Sequence, residues 1–206
     1  MTQADASAVV FLVDDDVAIR KALTRGLNAE GFSVRSFASA EEFLEEHDPE
    51  VPGCLVADVA MPGASGLELQ RMLTASGCGR PIVFITGRGS IPMSVQAMRA
   101  GAVSFLPKPV HLSELVAAIR EGFEKDRRIR EQRAAHASIN ARLTLLTARE
   151  REVLDLVVAG KLNKQIAAEL GAAEKTIKVH RGRVMAKLRV RSVAELVRLT
   201  SQAMPS

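Results

Sequence analysis

Acidic, hydroxyl and amine side chains follow four short apolar segments in the first half of the chain. Three consecutive aspartates at 14–16 follow the run VVFLV, and Asp58 follows CLVA. Thr86 ends the segment PIVFIT, and Lys108 comes two residues after VSFL. Clustered carboxylates need a counter-charge, which a hard divalent cation such as Mg²⁺ supplies. A lysine and a hydroxyl suit the oxygens of a phosphoryl group, which Asp58 can accept as a nucleophile.

These side chains meet only if the segments before them are neighbouring parallel strands. Candidate strands at 9–13, 33–37, 54–58, 81–86 and 103–106 alternate with helical patterns at 17–29, 39–46, 65–76, 92–100 and 112–123. The alternation predicts an α/β fold with a doubly wound, five-stranded parallel sheet. Sites in such sheets lie at the carboxyl ends of the strands, where all of these residues fall. Outside such a sheet, the aspartates at 14–16 would be solvent-exposed residues of an ordinary turn without a ligand.

The two halves of the chain differ in charge. Residues 1–124 hold 10 Lys+Arg and 16 Asp+Glu, whereas residues 125–206 hold 18 and 8. An acidic half joined to a basic half indicates two domains with different partners, and nucleic acid suits the basic one. The segment 124–133 is nearly all charged and predicts an exposed linker, helical at its start. We therefore expect a first domain at 1–124, a partly helical linker at 125–142 and a second domain at 143–206.

The basic half is helical in pattern. Thr147 and Glu150 form a capping box that opens a helix, and Asn163 is expected to cap a short second helix. A third helix is predicted at 174–188, and Ser192 opens a fourth. A short helix, a turn containing glycine and a second helix make the helix-turn-helix layout.

The predicted third helix has an unusual outward face. Its outward residues are Lys175, Lys178, Val179, Gly182 and Arg183. A glycine inside a helix costs about 1 kcal/mol relative to alanine, which a closely approaching DNA groove wall would explain. Val179 could touch a thymine methyl group, and Lys178 a guanine edge. The alternative is a basic amphipathic helix without a ligand.

Composition excludes several classes of protein. Two cysteines are too few for a disulfide framework, and no basic residue precedes Arg20, so no signal peptide is expected. No apolar run approaches the ~18 residues of a membrane helix. The absence of Trp and Tyr argues against single-strand binding on stacked aromatics. We expect a cytoplasmic protein with no membrane partner.

The motifs VFLVDDD, CLVADVAMPGASG and PIVFITGRGSIPMSVQAMRAGAVSFLPKP resemble the receiver domain of bacterial two-component response regulators, over about residues 8–124. The resemblance implies a flavodoxin-like fold with Asp58 as phosphoacceptor. The implied Mg²⁺ ligands are Asp14, Asp15, Asp58 and the backbone carbonyl of Ala60. Thr86 and Lys108 would meet the phosphoryl group, and Phe105 would be an aromatic switch. The Lys108–Pro109 bond is expected to be cis.

The stretch LTAREREVLDLVVAGKLNKQIAAELGAAEKTIKVHRGRVMAKLRVRSVAELVRL resembles the LuxR-type (NarL-type) helix-turn-helix, over about residues 143–199. This resemblance implies groove-facing positions at Lys178, Val179 and Gly182, and phosphate contacts from Lys164 and Thr176. Ala173 stands where relatives often have a Ser or Thr cap. The two resemblances together match the FixJ-like regulators.

The expected function is therefore that of a response regulator. A sensor histidine kinase would phosphorylate Asp58, and a homodimer would form through residues 91–123. The apolar candidates for this contact are Met93, Met98, Val116 and Ile119. The dimer would bind double-stranded promoter DNA, with RNA polymerase as a further candidate partner. No enzymatic activity is expected beyond the receiver's own phosphoryl transfer and dephosphorylation.

Two alternatives have specific requirements. A phosphatase of the haloacid dehalogenase type uses a similar residue set, but it needs a cap and a late acidic pair, and neither follows Lys108. A quorum-type regulator shares the helix-turn-helix but needs a ligand-binding domain before it, which the receiver motifs and the absence of Trp and Tyr exclude. A third possibility is a receiver that works without phosphorylation, and the complete acidic set argues against it.

Overall fold

The structure is a computed structural model that describes residues 8–87 and 91–203, without the side chains of 202 and 203. The chain divides into two compact units, Met1–Arg130 and Glu131–Ser206. The first unit contains β1 (Val9–Val13), α1 (Val17–Ala29), β2 (Ser33–Phe37), α2 (Ala40–Glu46), β3 (Gly53–Asp58), α3 (Gly66–Ala75), β4 (Ile82–Thr86), α4 (Ile91–Arg99) and β5 (Ser104–Pro107). Helix α5 (Leu112–Leu143) follows, and then α6 (Ala148–Val158), α7 (Asn163–Glu169), α8 (Glu174–Leu188) and α9 (Val193–Ala203).

The strands of the first unit form one parallel sheet in the order β2-β1-β3-β4-β5, which confirms the predicted fold class. Strand β1 pairs with two neighbours, so that Val13 lies opposite Phe37 on one side and Ala57 on the other. Apolar clusters cover both faces of the sheet. Phe11 and Phe84 belong to the cluster on one face, and the strand residues adjacent to them in sequence belong to the cluster on the other. In this register the residues that follow β1 lie beside the carboxyl end of β3.

Helix α5 runs without a break through the whole of segment 125–142, where the sequence predicts helix only at the start. Its first turns bury Leu115, Ile119 and Phe123 against the sheet. Residues 131–138 are all exposed, so they lack the apolar periodicity by which a helix is predicted. Ile139 and Leu143 restore apolar contact at the far end of the helix.

The second unit is all helical, as predicted. Its core is formed by residues from all four helices: Val153, Leu154, Val157, Ile166, Ile177, Val184, Leu188 and Leu196. The predicted capping box of α6 is present, because Thr147 Oγ1 accepts the N–H of Glu150 and Glu150 accepts the N–H of Thr147.

Two helix starts in the second unit differ from ordinary capping. The prediction that Asn163 caps α7 is wrong, because Leu162 occupies the cap position and Asn163 is the first helical residue. The side-chain oxygen of Asn163 instead accepts a hydrogen bond from Arg181 in α8, at 3.0 Å. At the start of α8, Ala173 makes no side-chain cap, as its residue type requires.

Within the described residues, no helix is both long and apolar enough to cross a bilayer.

Candidate functional site

Asp14 and Asp58 lie side by side at the carboxyl edge of the sheet. Asp14 follows β1 and is fully buried, and Asp58 ends β3 with 5% of its surface exposed. The Nζ atom of Lys108 lies between them, 2.7 Å from Asp14 Oδ2 and 2.6 Å from Asp58 Oδ2. The structure therefore brings together two carboxylates and an amine that are up to 94 residues apart in the chain.

The protonation of this group reflects opposing effects. Burial raises the pKa of Asp14, and the hydrogen bonds from Lys108 and from the Asp16 N–H only partly offset that effect. Burial alone would lower the pKa of Lys108, but its hydrogen bonds to the two carboxylates outweigh burial and raise the pKa. Lys108 is therefore a cation at neutral pH, and ionisation of Asp14 carries a cost in desolvation.

The carboxylates fit a divalent cation. Oxygens of Asp14, Asp15 and Asp58 lie within 4.8 Å of one another, and Asp15 is exposed, so the cluster is open to solvent. An all-oxygen set of this size, partly open to water, is the donor set that Mg²⁺ prefers. Ala60 lies in the loop that follows β3, and its N–H donates to Asp58 Oδ1 at 3.2 Å.

The third aspartate of the run has a different role. Asp16 is the N-cap of α1, and its Oδ1 accepts the N–H groups of Ala18 and Ile19 at 2.7 and 3.1 Å. These hydrogen bonds lower the pKa of Asp16. The cap holds the Asp16 carboxylate at the start of α1. Of the three consecutive aspartates, only Asp14 and Asp15 therefore belong to the cluster with Asp58.

Thr86 and Phe105 lie on β4 and β5, the two strands that follow β3 in the sheet. Thr86 is buried at the end of β4, and its carbonyl accepts the Lys108 N–H at 2.7 Å. Phe105 is half-buried, with its ring centroid 6.2 Å from that of Phe84. The Lys108–Pro109 peptide bond is cis, as expected.

The second unit exposes a basic face on α8. Ile177, Val184 and Leu188 are buried, whereas Lys178, Val179, Gly182 and Arg183 are exposed on the other side of the helix. Apart from the backbone of its own helix turns, no atom of the described residues lies within 4 Å of where a Cβ of Gly182 would be, so packing among those residues does not require a glycine there. Lys164 on α7 and Thr176 on α8 are also exposed.

Comparison with known proteins agrees with both units. Residues 10–120 match the family model described as "Response regulator receiver domain", and residues 144–200 match "Bacterial regulatory proteins, luxR family". Nodulation protein W of Bradyrhizobium diazoefficiens (strain USDA 110) is 46% identical over 97% of this chain and 88% of its own. Transcriptional regulatory protein FixJ of Azorhizobium caulinodans is 39% identical over 94% and 92%.

The chain belongs to the response regulators that carry a LuxR-type DNA-binding domain. A solved structure of response regulator StyR has a TM-score of 0.84 to this regulator, with 49% identity, over 95% of this chain and 99% of its own. The first unit is thus a receiver domain, and the second is a LuxR-family DNA-binding domain of a transcription regulator.

The regulator also makes two contacts that the sequence motifs do not predict. Arg20 donates to the backbone carbonyl of Asp14 and so helps to fix the acidic loop. Glu150, buried at the start of α6, accepts a hydrogen bond from Lys187 near the end of α8 at 2.5 Å. The capping box gives Glu150 a local role, but nothing in the local pattern predicts a partner 37 residues away.

Proposed function

We propose that the regulator receives a phosphoryl group on Asp58 from a sensor histidine kinase, then dimerises and binds promoter DNA. The observation that carries this proposal is the position of Lys108 Nζ between the carboxylates of Asp14 and Asp58. A cation there can bind a phosphoryl oxygen beside the attacking carboxylate.

The proposed transfer is a nucleophilic displacement at phosphorus. One Oδ atom of Asp58 forms the new P–O bond while the P–N bond of a phosphohistidine breaks. The leaving imidazole keeps the electron pair of that bond and is protonated. Mg²⁺ held by Asp14, Asp15, Asp58 and the Ala60 carbonyl would neutralise the developing negative charge.

The new phosphoryl group, with a charge of about −1.5 to −2, gives Lys108 and Thr86 a new partner. Thr86 lies at the end of β4, in register with Pro107 at the end of β5. Phe105, two residues earlier on β5, is half-buried. We propose that shifts of Thr86 and Phe105 move helix α4 and strand β5.

Helix α4 offers the apolar surface for a dimer. Ile91, Val95 and Met98 have 82%, 43% and 46% of their surfaces exposed. Val116 and Ile119 do not belong to this surface, because they are buried in the receiver core. The dimer surface we propose is therefore the exposed face of α4.

Two kinds of contact would hold the DNA. Lys164 and Thr176 would contact phosphates, whereas Lys178, Val179, Gly182 and Arg183 would face the major groove. The open space at Gly182 suits the close approach of a groove wall. RNA polymerase is a further proposed partner once the dimer is bound at a promoter.

The dimerisation step can be tested by sedimentation. We expect the wild-type regulator to increase in mass on addition of Mg²⁺ and beryllofluoride, and the Asp58→Asn variant to remain unchanged. Val95→Asp should block the increase while leaving beryllofluoride binding intact. An equal mass of the wild type in both states, or a dimer held only by residues 143–206, would contradict the proposal.

The DNA contacts can be separated by salt dependence. With DNA selected from a random-sequence pool, Lys164→Ala should weaken binding to all sequences alike and lower the salt slope by about one unit. Lys178→Ala should cost about 1–3 kcal/mol at one base pair and relax preference there. Equal losses on selected and base-changed DNA for Lys178→Ala would make Lys178 a backbone contact.

A further inference from the structure

The C-terminal end of helix α4 closes with a Schellman motif. The N–H of Gly101 donates to the carbonyl of Met98 at 3.0 Å, and the N–H of Ala102 donates to that of Ala97 at 3.1 Å. Gly101 has a φ of 90°, the left-handed conformation that this motif requires. The carbonyl groups at this helix end carry a partial negative charge and attract donors and cations.

Two side chains from other helices bind this helix end. Gln70 of α3 is buried, and its Nε2 lies 3.4 Å from the Ala97 carbonyl and 3.2 Å from that of Ala100. Lys125 of α5 donates from Nζ to the carbonyl of Gly101 at 2.7 Å. Lys125 therefore places a cation at the negative end of α4, from a helix that continues into the second unit.

These polar contacts matter because α4 is lightly packed. Ala97 is its buried residue, and Met93 adds a half-buried contact with the core. A helix that buries so little apolar surface is free to move at low cost. The contacts of Gln70 and Lys125 therefore have a large share in setting where α4 ends.

Neighbouring residues of α5 are held by a different segment of the receiver, at residues 49–53. Asp126 is buried and accepts the N–H of Gly53 at 3.0 Å and Nε of Arg130 at 2.8 Å. Arg130 also donates to three backbone carbonyls of the loop between α2 and β3, those of Pro49, Glu50 and Val51, at 2.8–2.9 Å. Because removal of one partner of a buried ion pair leaves the other charge uncompensated, opening of the Asp126–Arg130 contact is costly. We call residues 125–143 of α5 the linker helix.

We propose that Lys125 is a positioning residue that couples helix α4 to the linker helix, whereas Asp126 and Arg130 anchor that helix to a part of the receiver that does not switch. The inference rests on the proposed function, because it assumes that a phosphoryl group on Asp58 displaces α4. When α4 moves, the Gly101 carbonyl leaves Lys125 Nζ, and the linker helix loses this hydrogen bond to the end of α4. Residues 124–138 then open more often.

Amide hydrogen exchange of the full-length regulator tests this coupling. In the wild type, Mg²⁺ with beryllofluoride should change exchange in residues 91–107 and speed exchange in 124–138. In Lys125→Met, exchange in 124–138 should already be about threefold to tenfold faster in the resting state, as for the loss of one hydrogen bond that solvent screens, since Lys125 is exposed. The activator should still change 91–107 in this variant but add no further change in 124–138.

Three further variants separate positioning from a merely structural role. Lys125→Arg keeps a cationic donor and should restore the response of 124–138. Arg128→Met removes an exposed cation for which the described chain provides no partner, and it should behave like the wild type. Arg130→Met removes the anchor, so exchange in 124–138 should rise in both states while the response to the activator persists.

The outcomes also distinguish the two proposals. If beryllofluoride leaves residues 91–107 of the wild type unchanged, the proposed function fails. If residues 91–107 respond but 124–138 does not, or responds equally in Lys125→Met, then the role of Lys125 is refuted while the proposed function stands.

Discussion

Glu150 is a buried acid whose charge we expect to stabilise the DNA-binding domain. It accepts hydrogen bonds from Lys187 Nζ at 2.5 Å and from the Thr147 N–H at 2.9 Å. These two bonds, that of Lys187 first, lower the pKa of Glu150 to about 2. The substitution Glu150→Gln keeps the size and an acceptor oxygen for Thr147, but it removes the charge that faces Lys187.

The expected cost follows from these contacts. A hydrogen bond to a charged group contributes about 1.5–3 kcal/mol. The side chain of Lys187 is 34% exposed, and solvent screening reduces this value. We therefore expect Glu150→Gln to destabilise the DNA-binding domain by about 1–2 kcal/mol at neutral pH.

The cost should depend on pH with a definite sign. The folded-state pKa of about 2 lies below the ordinary value of 4.5, so the folded state favours the ionised form. The stabilisation is therefore fully present above about pH 5 and is lost as pH falls through 4.5 toward 2. The difference between wild type and variant should shrink over the same interval.

The chain has no Trp or Tyr, so urea unfolding is best followed by the methyl NMR signals of Val153 and Val184, both buried in the second unit. The matched control is Glu152→Gln, which removes the ion pair of Glu152 with Arg149, whose side chains are 51% and 37% exposed. Because solvent screens this pair, we expect the substitution to lower the free energy of unfolding by less than about 0.5 kcal/mol. Equal costs for the two variants at pH 7, or a Glu150→Gln cost that persists at about pH 2.5, would refute the reasoning.

Two further substitutions test the receiver. A Cβ at Gly66 would lie 2.3 Å from the backbone oxygen of Asp58 and 3.2 Å from the ring of Phe84. Gly66→Ala should therefore lower the free energy of unfolding by about 1–3 kcal/mol, measured by thermal unfolding, and slow phosphorylation by phosphoramidate. An unchanged phosphorylation rate would count against this geometry. Because burial raises the pKa of Asp14, its charge opposes folding at neutral pH. Asp14→Asn should therefore raise the Tm without Mg²⁺ and remove the gain in Tm that Mg²⁺ gives the wild type. A lower Tm of the variant would show instead that the charge stabilises the fold.

The sheet and its acidic edge are predictable from sequence because they depend on local patterns. Each strand is a short apolar run, and each helix between strands has its own periodicity, so the order of elements follows directly. Parallel strands then bring their carboxyl ends to one edge, which places Asp14, Asp58 and Lys108 together without knowledge of any other contact. Predicted strand and helix ends fall within one residue of the observed ones in most cases, as for α1 at Val17–Ala29.

The linker helix is not predictable in the same way. Residues 131–138 are exposed on all sides, and the preceding turn is held by Asp126 and Arg130 through partners 73–81 residues away. Such contacts leave no periodic signal in the local sequence. The error at Asn163 also involves a distant partner. The helix begins at Asn163 itself, and its side-chain oxygen accepts a hydrogen bond from Arg181, 18 residues later.

The central claim is that Asp58 accepts the phosphoryl group, and intact-protein mass spectrometry tests it most directly. After incubation with phosphoramidate and Mg²⁺, the wild type should carry one phosphoryl group per chain, and Asp58→Asn should carry none. Asp16→Asn is the matched control, since Asp16 caps α1, and it should be labelled like the wild type. Labelling of Asp58→Asn at the wild-type level would contradict the account.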